Sequence, residues 1–149
     1  MKQTHDASGL ERIRETRRIN PEDYSPIVSR SRWASFTYAA AGCAYMLRHQ
    51  KNLRIQLAAA ATVVVMGLWL GLGALEWALL VLVIGVNFLM EFINAALEAA
   101  VNLASSEIHP LARVSKDVAA GASLLAAVIA VIVGLLVMGP PLLARLGWR

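Results

Sequence analysis

The sequence predicts an all-α membrane protein with three transmembrane helices preceded by an interfacial amphipathic helix. Three observations carry that class. Hydrophobic residues make up 58% of the 149 positions and charged residues only 16%, with a mean hydropathy of +0.57. A soluble domain of this length has too high a surface-to-volume ratio to hide that much apolar surface. The apolar residues also fall into three long runs, each near the ~20 residues needed to cross a bilayer. Finally, ten of the fourteen Lys and Arg residues lie between Lys2 and Arg54, ahead of the first run.

The elements follow in order. Residues 1–30 are polar, broken by Pro21 and Pro26, and without apolar periodicity. They read as a solvated tail. They carry no short apolar core ending in a small-residue cleavage site, so no secretory signal is expected there. From Arg32 to Arg48 the pattern becomes Trp33, Phe36, Tyr38 and Leu47 among alanines, flanked by arginine. This is too short and too mixed to span, and suits a helix lying in the interface. The first span is expected over Ile55–Gly73, the second over Trp77–Ala100, and the third over Val118–Met138. Gly67 and Gly71, four apart, either let helices approach closely or end the first span. The short stretch Gly73 to Glu76 makes the first two spans antiparallel neighbours. Gly139-Pro140-Pro141 is expected to end the third span sharply, because proline lacks the amide and clashes with the preceding turn. Residues 31–140 then form one membrane domain, with 141–149 as a short tail. Trp148 in that tail suits an interfacial anchor.

Charge sets the orientation. Arg113 and Lys116 lie in the polar stretch between the second and third spans. Positive residues favour the cytoplasmic side, so this stretch and the N-terminus are both expected there, and the C-terminus on the outer face. The single cysteine excludes an internal disulfide.

The second span holds residues that a plain anchor does not need. Glu91, Asn94, Glu98 and Asn102 stand at i, i+3, i+7 and i+11, on one helical face. An ionisable residue deep in a span costs on the order of 2.5–3.5 kcal/mol even on the mild insertion scale. Beyond this stripe lie Glu107, His109-Pro110 and Lys116-Asp117. Carboxylates hold hard divalent ions such as Mg²⁺, a lysine neutralises phosphate charge, and a glutamate accepts a hydroxyl proton. These are the parts of phosphoryl transfer, at the level of a lipid headgroup. Blander roles stand beside them. Asn94 alone suits an interhelical hydrogen bond, Asp117 suits a helix cap as well as a ligand, and His109 beside a proline suits a structural role. An acidic stripe lining a cation path is a further alternative.

The run Glu91-Phe-Ile-Asn94-Ala-Ala-Leu-Glu98-Ala-Ala-Val-Asn102 resembles the signature of the prokaryotic diacylglycerol kinase family, which also contains undecaprenol kinases. The stretch from Ser106 through His109-Pro110 and Lys116-Asp117 to Gly121 is similarly alike, as is Asn52-Leu-Arg54-Ile. The resemblance covers about residues 31–138 without gaps. It implies ATP-dependent phosphorylation of a membrane lipid alcohol by a homotrimer with active sites between protomers, using Mg²⁺ and ATP without a P-loop. No Gly-x-x-x-x-Gly-Lys occurs in the chain. By position, the resemblance makes Glu91 the catalytic base and Glu98 a metal ligand near the nucleotide. Lys116 becomes a phosphate contact, Asp117 and Asn102 belong to the nucleotide side, and Asn94 is a polar contact. Gln50 stands where the family usually places a second metal-binding glutamate, Asn102 where it has aspartate, and Gln56 where glutamate or histidine is common. Ser31 and Ala39 replace an arginine and a serine. The departures make a weakened member, binding lipid or nucleotide without efficient transfer, the competing expectation. The motif stretches look closer to the undecaprenol kinase branch, while residue chemistry alone does not separate the two alcohols.

Overall fold

The computed structural model describes residue 18 and residues 32–104 and 109–148. Glu107, Ser31 and the tail before it, apart from residue 18, lie outside them. The described residues form four helices, α1 Arg32–His49, α2 Lys51–Leu70, α3 Ala74–Ala104 and α4 Pro110–Arg145, and no strand is found among them. The chain divides into two compact units, Met1–Cys43 and Ala44–Arg149. In the first, the described part is the beginning of α1, where Trp33 and Phe36 are exposed. The segment expected to lie in the interface is therefore helical, with weaker sidedness than its arginines and aromatics suggested.

The second unit holds the three expected spans, α2, α3 and α4, each long and apolar enough to cross a membrane. Their surfaces are apolar outward: Val65, Val81, Leu82, Leu125, Leu135 and Leu136 are all more than 60% exposed. Exposed apolar area on that scale belongs against lipid or another apolar surface. This is a multi-pass membrane protein. At 1.5 Å per residue, α3 is about 46 Å long and α4 about 54 Å. Both exceed the ~30 Å hydrocarbon core, so each is longer than an upright crossing requires.

α2 stops at Gly71, whose φ of 73° is left-handed and whose amide reaches back to the carbonyls of Gly67 and Leu68. Glycine takes that conformation without Cβ strain. Gly67 does something different. A Cβ there would sit 2.8 Å from the Trp77 ring of α3, so its hydrogen lets the two helices close. The glycine pair thus serves both readings, one residue each. The Glu76 carboxylate in the first turn of α3 accepts from the Gly73 amide and fixes the turn. α3 and α4 make the most extensive contact between helices. Ala119, Ser123 and Ala126 form the small buried face of α4, and Ser123 Oγ donates to the Met90 carbonyl at 3.0 Å. Small residues and hydroxyl bonds of this kind join helices in lipid, where apolar burial gives little drive.

Two boundaries differ from the sequence reading. α4 starts at Pro110, not Val118, so Arg113 and Lys116 lie on a helix. His109 is its N-cap, with Nδ1 accepting from the Leu111 amide at 3.2 Å, and Pro110 opens the first turn. That confirms the structural role of His109. Asp117 is two turns inside the helix and does not cap it. At the other end, α4 does not stop at Gly139-Pro140-Pro141 but runs through both prolines to Arg145. Proline removes one amide and strains one turn; it does not forbid continuation where packing holds the next turn. Here Leu142 packs against the buried cluster of Leu70, Leu80 and Met138, and the Arg145 guanidinium lies 4.9 Å from the Trp69 ring centroid.

Candidate functional site

Chain direction brings the start of α2, the end of α3 and the start of α4 to one end of the bundle. The inward face of α2 there is Leu53 and Gln56, and that of α3 is Glu91 and Asn94. The facing part of α4 is alanine-rich, which leaves room. The result is a cavity of about 310 Å³ lined by Asn52, Ile55, Gln56, Glu91, Asn94, Ala120, Ser123, Leu124 and Ala127.

Glu91 is the only ionisable residue in that lining, and it is 2% exposed. Among the described residues no hydrogen bond or ion pair reaches its carboxylate. Its polar neighbours in the cavity are three carboxamides and the Ser123 hydroxyl, already engaged with Met90. Burying a carboxyl group without a hydrogen-bond partner is costly. A carboxylate kept this way is one available to take a proton from a hydroxyl group placed in the cavity.

Two further acceptors nearby are unpaired. Gln56 Oε1 and Asn87 Oδ1 are buried with no hydrogen-bond partner, each at a cost of about 1–3 kcal/mol. Asn87 precedes Glu91 by four residues and shares its helical face. Sequence reasoning missed Asn87, and Ser123 with it. It treated Gln56 only as a departure from a pattern and Asn52 only as part of a match. The signal for Asn87 was present, since it extends the Glu91 stripe by one turn into an apolar segment.

The remaining predicted residues do not line the cavity. Glu98 is exposed on α3, about 10 Å along the axis from Glu91. Asn102, one turn further, is exposed and accepts a 2.5 Å hydrogen bond from Lys116 Nζ on α4. Asp117 is exposed, with Oδ2 3.8 Å from Arg113 Nε. Gln50 is half-buried at the N-cap of α2, where its side chain makes no capping bond. Among the described residues no three His, Cys, Asp or Glu side chains gather as a metal cluster. The predicted set therefore divides into a cavity group, Glu91 and Asn94, and a rim group, Gln50, Glu98, Asn102, Lys116 and Asp117.

The chain is similar to known proteins over this same region. The model of the prokaryotic diacylglycerol kinase family matches residues 37–138. An undecaprenol kinase of Bacillus subtilis (strain 168) is 40% identical over 108 residues, covering 72% of this chain and 88% of that protein. A diacylglycerol kinase of Synechocystis sp. is 42% identical over 111 residues, 74% of this chain and 63% of that longer protein. One from Helicobacter pylori (strain 26695) is 39% identical over 62 residues, 42% of this chain and 48% of its own length. A match over two thirds of the chain, containing both the buried glutamate and the rim residues, is decisive: this chain belongs to the prokaryotic diacylglycerol kinase family.

Proposed function

We propose that this protein transfers the γ-phosphoryl group of ATP to the hydroxyl of a membrane lipid alcohol, diacylglycerol or undecaprenol, at the cytoplasmic surface of the inner membrane. The observation that carries the reading is Glu91, a buried carboxylate without a cationic partner, facing a cavity otherwise lined by neutral groups. The lipid hydroxyl enters the cavity and gives its proton to Glu91. Its oxygen attacks the γ-phosphorus, the bond from that phosphorus to the β-phosphate oxygen breaks, and ADP leaves. Asn94 contacts the reacting groups from the cavity wall. Lys116, Asp117, Asn102 and Glu98 lie on the nucleotide side, with Lys116 stabilising phosphate charge.

Mg²⁺ suits the residues present. This ion is commonly held by one or two carboxylates plus waters and substrate phosphates, so a three-carboxylate cluster is not required. The exposed Glu98 carboxylate and the uncommitted amide oxygen of Gln50 would hold it, and when bound it would neutralise phosphate charge. Glu98, Asn102 and Asp117 are exposed at this end of the bundle, which supports a nucleotide arriving there from the cytoplasm and a lipid arriving from the bilayer. A homotrimer with sites shared between protomers would complete the rim, with the N-terminus cytoplasmic and the C-terminus outside.

The neutral Gln50 favours the second reading, a weakened member that binds lipid or nucleotide without efficient transfer. The decisive experiment is transfer of labelled phosphate from MgATP by the purified protein, with diacylglycerol and undecaprenol in parallel micelles. Labelled product from one lipid, lost in Glu91→Gln, establishes the kinase and its substrate. No product from either, with the protein folded, supports the weakened reading.

A further inference from the structure

Charge at the start of α4 is unevenly compensated. Asp117 pairs with Arg113, one turn away on the same helix, and both side chains are more than 70% exposed. Lys116, half-buried between them, turns instead to the end of α3 and donates to Asn102 Oδ1 at 2.5 Å. Asn102 is neutral, and among the described residues no carboxylate lies in ion-pair contact with Lys116. The ammonium is therefore held in place by a bond that leaves its full charge uncancelled.

We propose that Asn102 is a positioning residue that fixes the Lys116 ammonium for a nucleotide phosphate without neutralising it, so that asparagine here strengthens nucleotide binding relative to aspartate. This rests on the reading of Lys116 as a phosphate contact. A lysine ammonium carries three donors. One is spent on Asn102, and two remain for phosphate oxygens. The bond also restrains a four-carbon side chain that would otherwise lose its rotamer freedom on binding. A carboxylate at position 102 would restrain Lys116 equally well. It would also cancel its charge and stand as an anion beside the incoming phosphate, so Lys116 would have to leave one anion to meet another. Position 102 is exposed, and asparagine and aspartate are nearly the same shape, so the exchange tests charge with little risk to folding.

The test compares Asn102→Asp and Asn102→Ala, each alone and combined with Lys116→Ala, as full-length protein in micelles. KM for MgATP and KM for lipid are measured for all. Asn102→Asp is expected to raise KM for MgATP by up to about fivefold, the upper end of what an ion pair of this exposure supplies, with KM for lipid unchanged. Asn102→Ala keeps the charge but loses the restraint, so it raises KM for MgATP less. In the Lys116→Ala background Asn102→Asp should lose most of its effect, because the coupling runs through the ammonium. Amine labelling of Lys116, followed by mass spectrometry without nucleotide, should speed up in Asn102→Ala.

An unchanged or lower KM for MgATP in Asn102→Asp overturns the proposal, as does an equal effect with and without Lys116. If Lys116→Ala alone leaves KM for MgATP unchanged, the phosphate role of Lys116 falls and takes the proposal with it. Labelling then still reports whether Asn102 restrains the side chain, which separates failure of the contact from failure of the nucleotide reading.

Discussion

The two ends of the three-span unit are built on opposite terms. At the end where α2 meets α3, Leu70, Leu80 and Met138 form a buried apolar cluster with Val63, Met66, Leu72 and Leu142 around it. Gly67 admits the Trp77 ring, and Arg145 lies over Trp69. At the other end the interior is polar and incompletely paired: among the described residues Gln56 Oε1 and Asn87 Oδ1 lack partners, Glu91 is buried without an ion pair, and a cavity is left open beside them. In lipid there is no water to satisfy such groups, so each is a stability cost unless a ligand arrives. Tight packing at one end therefore offsets the strain of keeping reactive groups uncommitted at the other.

The largest expected effect tests the polar end. Glu91→Gln preserves shape and burial while removing the proposed base, and should lower kcat by about 10²–10⁴-fold. The unfolding midpoint in detergent should hold or rise, since an unpaired carboxyl group in the interior is replaced by an amide of the same shape. A fall in stability with kcat retained would reverse the assignment of strain and function. Next comes Gly67→Val at the packed end. Its Cβ would meet the Trp77 ring at 2.8 Å, so thermal unfolding should show a loss of about 1–3 kcal/mol from overpacking. Gly71→Val should also destabilise, because its φ of 73° excludes a β-branched side chain.

A smaller effect sharpens the contrast at its boundary. Asn87 lies one turn from Glu91, towards the packed end, with its side-chain oxygen unpaired. Replacing it by leucine removes an unsatisfied acceptor and fills the same space, so stability should rise by about 1 kcal/mol. If the amide serves the cavity, kcat falls in the same variant. Unfolding and turnover measured together decide this, and a loss of stability would mean that the amide is already paired, by water or a second copy of the chain.

How far the sequence could be read followed the same division. The spans were legible because long apolar runs answer to a single physical demand, and the Glu91–Asn94–Glu98–Asn102 stripe was legible because its spacing is helical. Which of those residues lie inside was not, since Glu91 is buried and Glu98 exposed only through the packing of α2 and α4 against α3. Nor could spacing show that Lys116 reaches back to Asn102, and the i, i+4 pair of Arg113 and Asp117 is legible only once α4 is known to begin at Pro110. The start of α4 was hidden by its polarity, although His109-Pro110 is a cap followed by a favoured first-turn proline. The end of α4 was misread because a local rule was applied where tertiary contacts prevail.

That misreading yields the smallest prediction and tests what holds the last turn. Past Pro140 and Pro141 the helix lacks two amide donors, and Leu142 and Arg145 supply the contacts beyond them. A guanidinium over an indole face contributes about 0.5–1 kcal/mol at an exposed site, and Trp69 is 51% exposed. Arg145→Ala should therefore cost at most that much in global stability and leave turnover unchanged, because the contact lies at the end of the bundle remote from Glu91. Its effect should be local, seen as faster amide exchange at residues 142–146. Lysine at 145 should recover part of the protection, since it keeps the charge but loses the planar stack. If Arg145→Ala leaves exchange unchanged while Leu142→Ala raises it, apolar packing alone carries the helix through the prolines. If neither changes it, the helix beyond Pro141 is held by the bilayer interface rather than by its own bundle.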